Sequence, residues 1–323
     1  MNDVPAQSRV KWVWALLPLA GVLELALHAR QVGRVVTADD WDHAAAELRP
    51  LVRAEDGISV APFWASQAAR RALGPLATFE RFGVSDYTRY ASVWELSLDG
   101  ASELPNSWTI AERARAGRIS VRERKNPSAL PVISDLLGLA ERGRDEDLSV
   151  SRGGIGHEAP CAWHRSAARV AADWEAWGVS RAAHYAQCAS DASVGVQIVS
   201  DHAFRPRRCL YVETSGQDAR TRLMFHNVTF GRILRMHAGL HHTQEDPQNH
   251  GEDVVTRALV RGLNDDGSTT ETLLGENIHK DGENWKEWDI DTSAVPEGAQ
   301  GDLLIDVSSR QPHRGFCIEG STR

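Results

Sequence analysis

The first apolar run extends from Trp12 to Leu27 (WVWALLPLAGVLELAL). It is interrupted only by Pro18, Gly21 and Glu24, and Arg9 and Lys11 precede it. Basic residues ahead of an apolar run are the layout of an export signal, with the positive end kept in the cytoplasm. At ~1.5 Å per residue a helix over this run covers roughly 24 Å, short of the ~30 Å hydrocarbon core of a bilayer. Three readings compete: a short signal anchor, a cleaved signal peptide, and a buried helix of a cytosolic protein. The ELALHAR that follows Leu23 has no clean pair of small residues for cleavage, and a buried amphipathic helix needs a polar face where only Glu24 stands. The pattern therefore favours an N-terminal signal anchor over residues 1–30, with a transmembrane helix at 12–27. Trp12 and Trp14 would sit in one interface, with His28 and Arg30 beyond the other. Glu24 inside the span implies headgroup contact or a protein partner in the membrane.

Beyond the anchor the period changes twice. Thr37 can cap a helix whose apolar Trp41, Ala44, Ala45, Leu48, Leu51 and Val52 recur at helical spacing. Asp56-Gly57 marks a turn, residues 58–62 a short buried strand, and residues 64–73 a second helix stopped by Gly74-Pro75. Strands are expected over 90–98, 108–115 and 118–125, and a helix over 134–142. These elements predict a small three-layer α/β domain within residues 37–140. The charged, glycine-rich stretch at 141–159 reads as a linker. From 160 to 323, runs at 194–199, 208–213, 222–230, 254–263, 270–274, 285–290 and 303–307 alternate with turn clusters, and Asn264-Asp265-Asp266-Gly267 joins two of them as a hairpin. That texture predicts an antiparallel β-sandwich. The fold class is thus α+β multidomain.

Composition narrows the class. A hydrophobic fraction of 42% supports real cores, and a net charge of −8 argues against a nucleic-acid partner. The four cysteines, Cys161, Cys188, Cys209 and Cys317, are widely spaced and none forms a CxxC pair. On an exported chain that suggests two disulfides. Of the three connectivities, Cys161–Cys188 and Cys209–Cys317 are favoured: the first brackets one local segment and the second ties an early strand of the sandwich to its last.

Two stretches carry family resemblances. The segment DDWDHAAAELRPLVRAEDGISVAPFWA, through Asp40, Trp41, Ala44, Ala45, Asp56 and Gly57, resembles the extracytoplasmic tail of protein-mannosyltransferase-like membrane glycosyltransferases over residues 37–65. The multi-span catalytic portion of that family is missing, so the resemblance implies only a related exported α/β module. The C-terminal stretch, with a tryptophan-led strand at 285–290, a strand at 303–308 and a final strand near 316–319, resembles a galactose-binding-like jelly-roll sandwich. That family includes carbohydrate-binding modules and purely structural domains.

Candidate chemistry is sparse. His237, His241, His242 and His250 cluster with acids nearby, and the four-residue spacing of the first two suits zinc on a helix face. HExxH is absent and the surroundings read as a polar loop, so a metal cofactor there is the minor reading and none the major one. Asn264 to Ser268 lacks the full spacing of a calcium loop, and no GxSxG elbow occurs. Trp174, Trp177, Trp285 and Trp288 are candidate stacking platforms for a glycan. The sequence therefore leads to an exported binding or accessory protein, anchored through residues 12–27 with its bulk in the periplasm or extracellular space. An envelope enzyme acting on glycans, or a hydrolase using the histidine segment, is the alternative.

Overall fold

The computed structural model describes residues 16, 18–28, 35–78, 80–165, 183–188, 193–201, 203, 205–216, 219–241, 251–263 and 269–323. Residues 18–28 are helical, and Leu19, Val22, Leu23, Leu25 and Leu27 are each more than half exposed, so these side chains join no core. Among the described residues no helix is long and apolar enough to cross a membrane. Residues 12–15 and 17 of the expected span lie outside them.

Thr37 caps helix α1 (Ala38–Leu48) in a capping box. The Thr37 hydroxyl accepts the Asp40 N–H at 3.3 Å, and the Asp40 carboxylate accepts the Thr37 N–H at 2.8 Å. Strand β1 (Gly57–Ala61) leads through a 3₁₀ turn (Phe63–Ala65) to helix α2 (Ser66–Leu73). Strands β2 (Ser92–Leu98), β3 (Thr109–Ala116) and β4 (Ile119–Lys125) complete a sheet of order β1-β2-β4-β3, in which β1 runs parallel to β2 and the other pairs are antiparallel. The helices enclose Leu48, Ile58, Leu73, Leu96 and Ile119 against one face. The other face is covered without helices: Leu104, Trp108, Tyr87 and Tyr90 pack over Val93. The expected third layer is present but irregular.

The second body comprises β5 (Ser134–Asp135), α3 (Leu136–Glu141), β6 (Leu148–Gly154), β7 (Ala159–Pro160), β8 (Ala162–Arg165), β9 (His184–Gln187), β10 (Ser193–Ser200), β11 (Pro206–Ser215), β12 (Ala219–Thr229), β13 (Ile233–Leu240), β14 (Val254–Leu263), β15 (Thr269–His279), β16 (Lys286–Asp291), β17 (Gln300–Ser309) and β18 (Pro312–Thr322). One sheet has the order β16-β13-β18-β11-β10-β9-β8, with β5 added beside β18; the other runs β15-β14-β17-β12-β6-β7. From β11 onward every connection crosses between the sheets except the one joining β14 to β15. This is the jelly-roll type of sandwich. Inward residues alternate as a pleat requires: Thr221, Leu223 and Phe225 of β12 are buried while Arg220, Arg222 and Met224 are not. They meet Leu210, Leu234, Met236, Leu303, Ile305 and Phe316 in one core.

Both disulfides form as favoured. Cys161–Cys188 closes the β8–β9 pair, and Cys209–Cys317 ties β11 to β18. Two boundaries need correction. The stretch 141–159 is not a linker, because β6 lies within it, pairs with β12, and sends Leu148 and Val150 into the core. The sandwich also starts before residue 140: Leu136, Leu137 and Ala140 of α3 belong to its core. The division between the bodies therefore falls between Lys125 and Ser134. Strands β14 and β15 pair antiparallel on either side of 264–268, whose residues lie outside those described.

Candidate functional site

The two bodies meet on the outer face of the larger sheet. Along β13, Leu234, Met236, Ala238 and Leu240 enter the core, so pleating turns Arg235 and His237 outward. The register places Asp289 opposite Arg235 and Glu287 opposite His237. Arg235 grips Asp289 through two bonds, Nε to Oδ1 at 2.7 Å and Nη2 to Oδ2 at 2.8 Å, and His237 Nε2 lies 3.2 Å from Glu287 Oε2.

The small body contributes Asp86, which caps the 3₁₀ turn Tyr87–Arg89 by accepting the Thr88 N–H at 2.6 Å. The Thr88 hydroxyl accepts from Arg235 Nη1 at 2.6 Å and from Arg323 Nη1 at 3.0 Å. Asp86 Oδ2 lies 2.5 Å from Arg323 Nη2 and 3.8 Å from Arg235 Nη1. Asp86, Arg235, His237 and Arg323 are all buried. Burial pushes the Asp86 carboxyl up, but the Arg323 charge and the Thr88 hydrogen bonds outweigh it and hold the group below the usual carboxylate range. The His237 hydrogen bond does the same for Glu287, and the Arg235 hydrogen bond for Asp289. The result is a buried ionic seam joining the bodies.

Among the described residues, the seam also brings together a group of potential metal ligands. One ligand atom each from Asp86, His237 and Glu287 lies within 4.8 Å of the others. The donors do not fit an ion well, because Arg323 stands against Asp86 and Arg235 is 3.6 Å from Glu287. Two fixed guanidinium charges already neutralise these carboxylates and would repel a third cation. Of the predicted histidine quartet, His237 and His241 are among the described residues. His237 belongs to a strand, not a loop or helix, and His241 follows that strand's end, roughly 13 Å along an extended chain from His237 at ~3.3 Å per residue. The His241 N–H donates to Gly315 O at 3.1 Å. His242 and His250 lie outside the described residues.

Of the predicted tryptophan platforms, the two among the described residues, Trp285 and Trp288, are packed against other side chains. Trp285 packs over the Cys209–Cys317 disulfide with Val199 and Tyr211, and the Arg207 guanidinium lies 5.2 Å from its ring centre. Trp288 turns inward against the sandwich core. Trp174 and Trp177 lie outside the described residues.

Beside the seam, a small cleft opens between the small body and the β10–β11 turn. Phe63, Tyr87 and Glu103 line one wall, and Arg205 and Arg207 the other. Arg205 lies 5.0 Å from the Phe63 ring centre and 3.5 Å from Glu103 Oε2. The Phe63 N–H donates to Glu103 Oε1 at 3.2 Å. Arg207 Nε donates to the buried Asp201 at 2.9 Å. Tyr87 donates to Ile58 O at 2.9 Å and accepts from the Gly83 N–H at 3.2 Å; burial pushes its phenol up to about 12, so it stays protonated. Sequence reading missed this cleft, because its walls come from residues more than a hundred positions apart.

No protein-family model matches the chain, and no curated protein matches it. Solved structures similar to it include carbohydrate-binding modules from the β-sandwich superfamily (12% identity, covering 69% of this chain and 78% of that one, TM-score 0.32). A carbohydrate-binding module, CBM28, specific for non-crystalline cellulose is similar at 12% identity (36% and 72% covered, TM-score 0.27). The C-terminal family 22 carbohydrate-binding module of Clostridium thermocellum Xyn10B is similar at 9% identity (40% and 82% covered, TM-score 0.27). At TM-scores this low the likenesses carry no argument about ligand or activity.

Proposed function

We propose that the protein is a membrane-anchored, exported binding protein of the cell envelope, with its ligand site where the two bodies meet and a carbohydrate as its ligand class. The observation that carries the binding reading is the cleft itself. It combines aromatic surface with a carboxylate and guanidinium groups, the mixture that holds sugars by stacking and by hydrogen bonds to hydroxyls. The anchor reading is supported by the exposed leucines and valine of the helix at 18–28, and export by the two disulfides. The resemblance over residues 37–65 adds a working place beside glycosyltransferase machinery, with Glu24 as the contact to a membrane partner.

Fractionating cells that express the full chain tests the anchor. It should resist carbonate extraction, yield to detergent, and be accessible to protease from outside the cytoplasm. Recovery in the soluble cytoplasmic fraction with reduced cysteines would overturn the reading. Glu24→Leu should leave membrane insertion intact and release the partner that co-purifies with the detergent-solubilised chain; an unchanged complex removes Glu24 from the contact.

A further inference from the structure

We infer that the cleft binds a neutral oligosaccharide, with Trp64, on the turn that carries Phe63, as the stacking platform and the Glu103–Arg205 pair as its hydroxyl-binding edge. This rests on the carbohydrate-binding reading and deepens it. Trp64 is 73% exposed, the most exposed tryptophan among the described residues. It sits on the 3₁₀ turn Phe63–Ala65, and that turn also places Phe63 in the cleft wall. A single exposed apolar side chain needs no explanation by itself. An indole left in water on the turn that carries a wall of the cleft has one, because a sugar's apolar ring face recovers the hydrophobic contact that folding left unused.

The charges of the cleft select a neutral ligand. Arg205 faces Glu103 and Arg207 faces Asp201, so each cation already has a carboxylate. An acidic sugar would have to compete with Glu103 for Arg205. A neutral one uses the pair as it stands, since its hydroxyls donate to the carboxylate and accept from the guanidinium at once. Both partners are held before the ligand arrives: the Phe63 N–H fixes Glu103, and the Phe63 ring supports the Arg205 guanidinium. Tyr87 is not a contributor, because its hydroxyl is committed to Ile58 and Gly83.

Isothermal titration of the full chain, held in a detergent without a sugar headgroup, tests the site. The probes are cellohexaose, mannohexaose and laminarihexaose, with hexagalacturonate as the acidic counterpart. At least one neutral hexaose should bind. Trp64→Ala and Glu103→Gln should each weaken that binding tenfold or more while the thermal midpoint stays that of the parent. Hexagalacturonate should bind more weakly than the neutral hexaose. Parent-like affinity in both variants would overturn the site while leaving the carbohydrate reading intact, and tighter binding of hexagalacturonate would overturn the neutral class. Failure of every probe to bind the parent would overturn both.

Discussion

At the scale of single residues, Arg235 concentrates the consequences of the fold. It is buried, forks onto Asp289, and reaches across to Thr88 and Asp86 of the other body. Removing one member of a buried ionic set leaves its partners desolvated and unpaired, which costs about 3–5 kcal/mol. Because Asp289 keeps part of its water, Arg235→Ala should fall at the low end, about 3 kcal/mol, read from denaturant midpoints. A loss under about 1 kcal/mol would mean that the seam is solvated. His279 makes the second residue-scale prediction. Burial pushes its imidazole below the ordinary range, so the folded state holds it neutral. As pH falls below ~6.5 the unfolded chain takes up a proton that the folded chain refuses, and stability drops by up to about 1.4 kcal/mol per pH unit. His279→Gln, which can still donate to Glu283 O, should flatten stability between pH 7 and 5; an unchanged slope would clear His279. The seam carboxylates act lower. Asp86, Glu287 and Asp289 are depressed, so their contribution is present above the ordinary carboxylate range and is lost only as pH falls below ~4.

At the scale of elements, legibility followed the hydrophobic period. The strand expected at 254–263 coincides with β14, and the cap at Thr37 starts α1 as expected. Strand β6 escaped because its two inward residues, Leu148 and Val150, sit among arginines, serines and glycines that lend the segment a linker's composition. Strand β13 escaped for the opposite reason. Leu234, Met236, Ala238 and Leu240 alternate cleanly, but His237 and Gly239 between them and His241 and His242 just after them drew attention to a loop. Those positions are buried only because a second body and Trp285 cover them: a Cβ on Gly239 would come within 2.8 Å of the Trp285 ring. A sequence shows what a strand's own core wants, not what another body will place on its outer face. The disulfides were legible because spacing alone separates a local bridge from a long one. Loop-closure entropy scales with the chain enclosed, 27 residues for Cys161–Cys188 and 108 for Cys209–Cys317. Paired serine substitutions should therefore cost about 3.5 and about 5 kcal/mol respectively. Thermal or denaturant unfolding of each variant checks the order, and a reversal would show that strain or residual structure outweighs chain entropy.

At the scale of the whole molecule, the two bodies have separate cores, and polar contacts carry much of what passes between them. Asp86 and Thr88 engage Arg235 and Arg323, Glu103 engages Arg205, and Arg89 lies 3.6 Å from Asp135. An interface of this kind transmits stability only while its charges are paired, because an unpaired one penalises the docked state. The cleft shares this dependence, since Tyr87 in its wall stands between Asp86 and Thr88 of the seam. The parent chain should thus unfold in a single calorimetric transition. Replacing Asp86 and Arg235 together with alanine removes the two central members of the seam, keeps the Thr88–Arg323, Glu103–Arg205 and Arg89–Asp135 contacts, and leaves both cores untouched. The small body, deprived of about 3 kcal/mol of docking, should then melt ahead of the sandwich by roughly 12–24 °C, at about 4–8 °C per kcal/mol for a body of this size. Differential scanning calorimetry would resolve the two transitions. Should the double variant still unfold in one transition at the parent midpoint, the bodies must be coupled through contacts other than the seam, and the cleft would keep its shape without it.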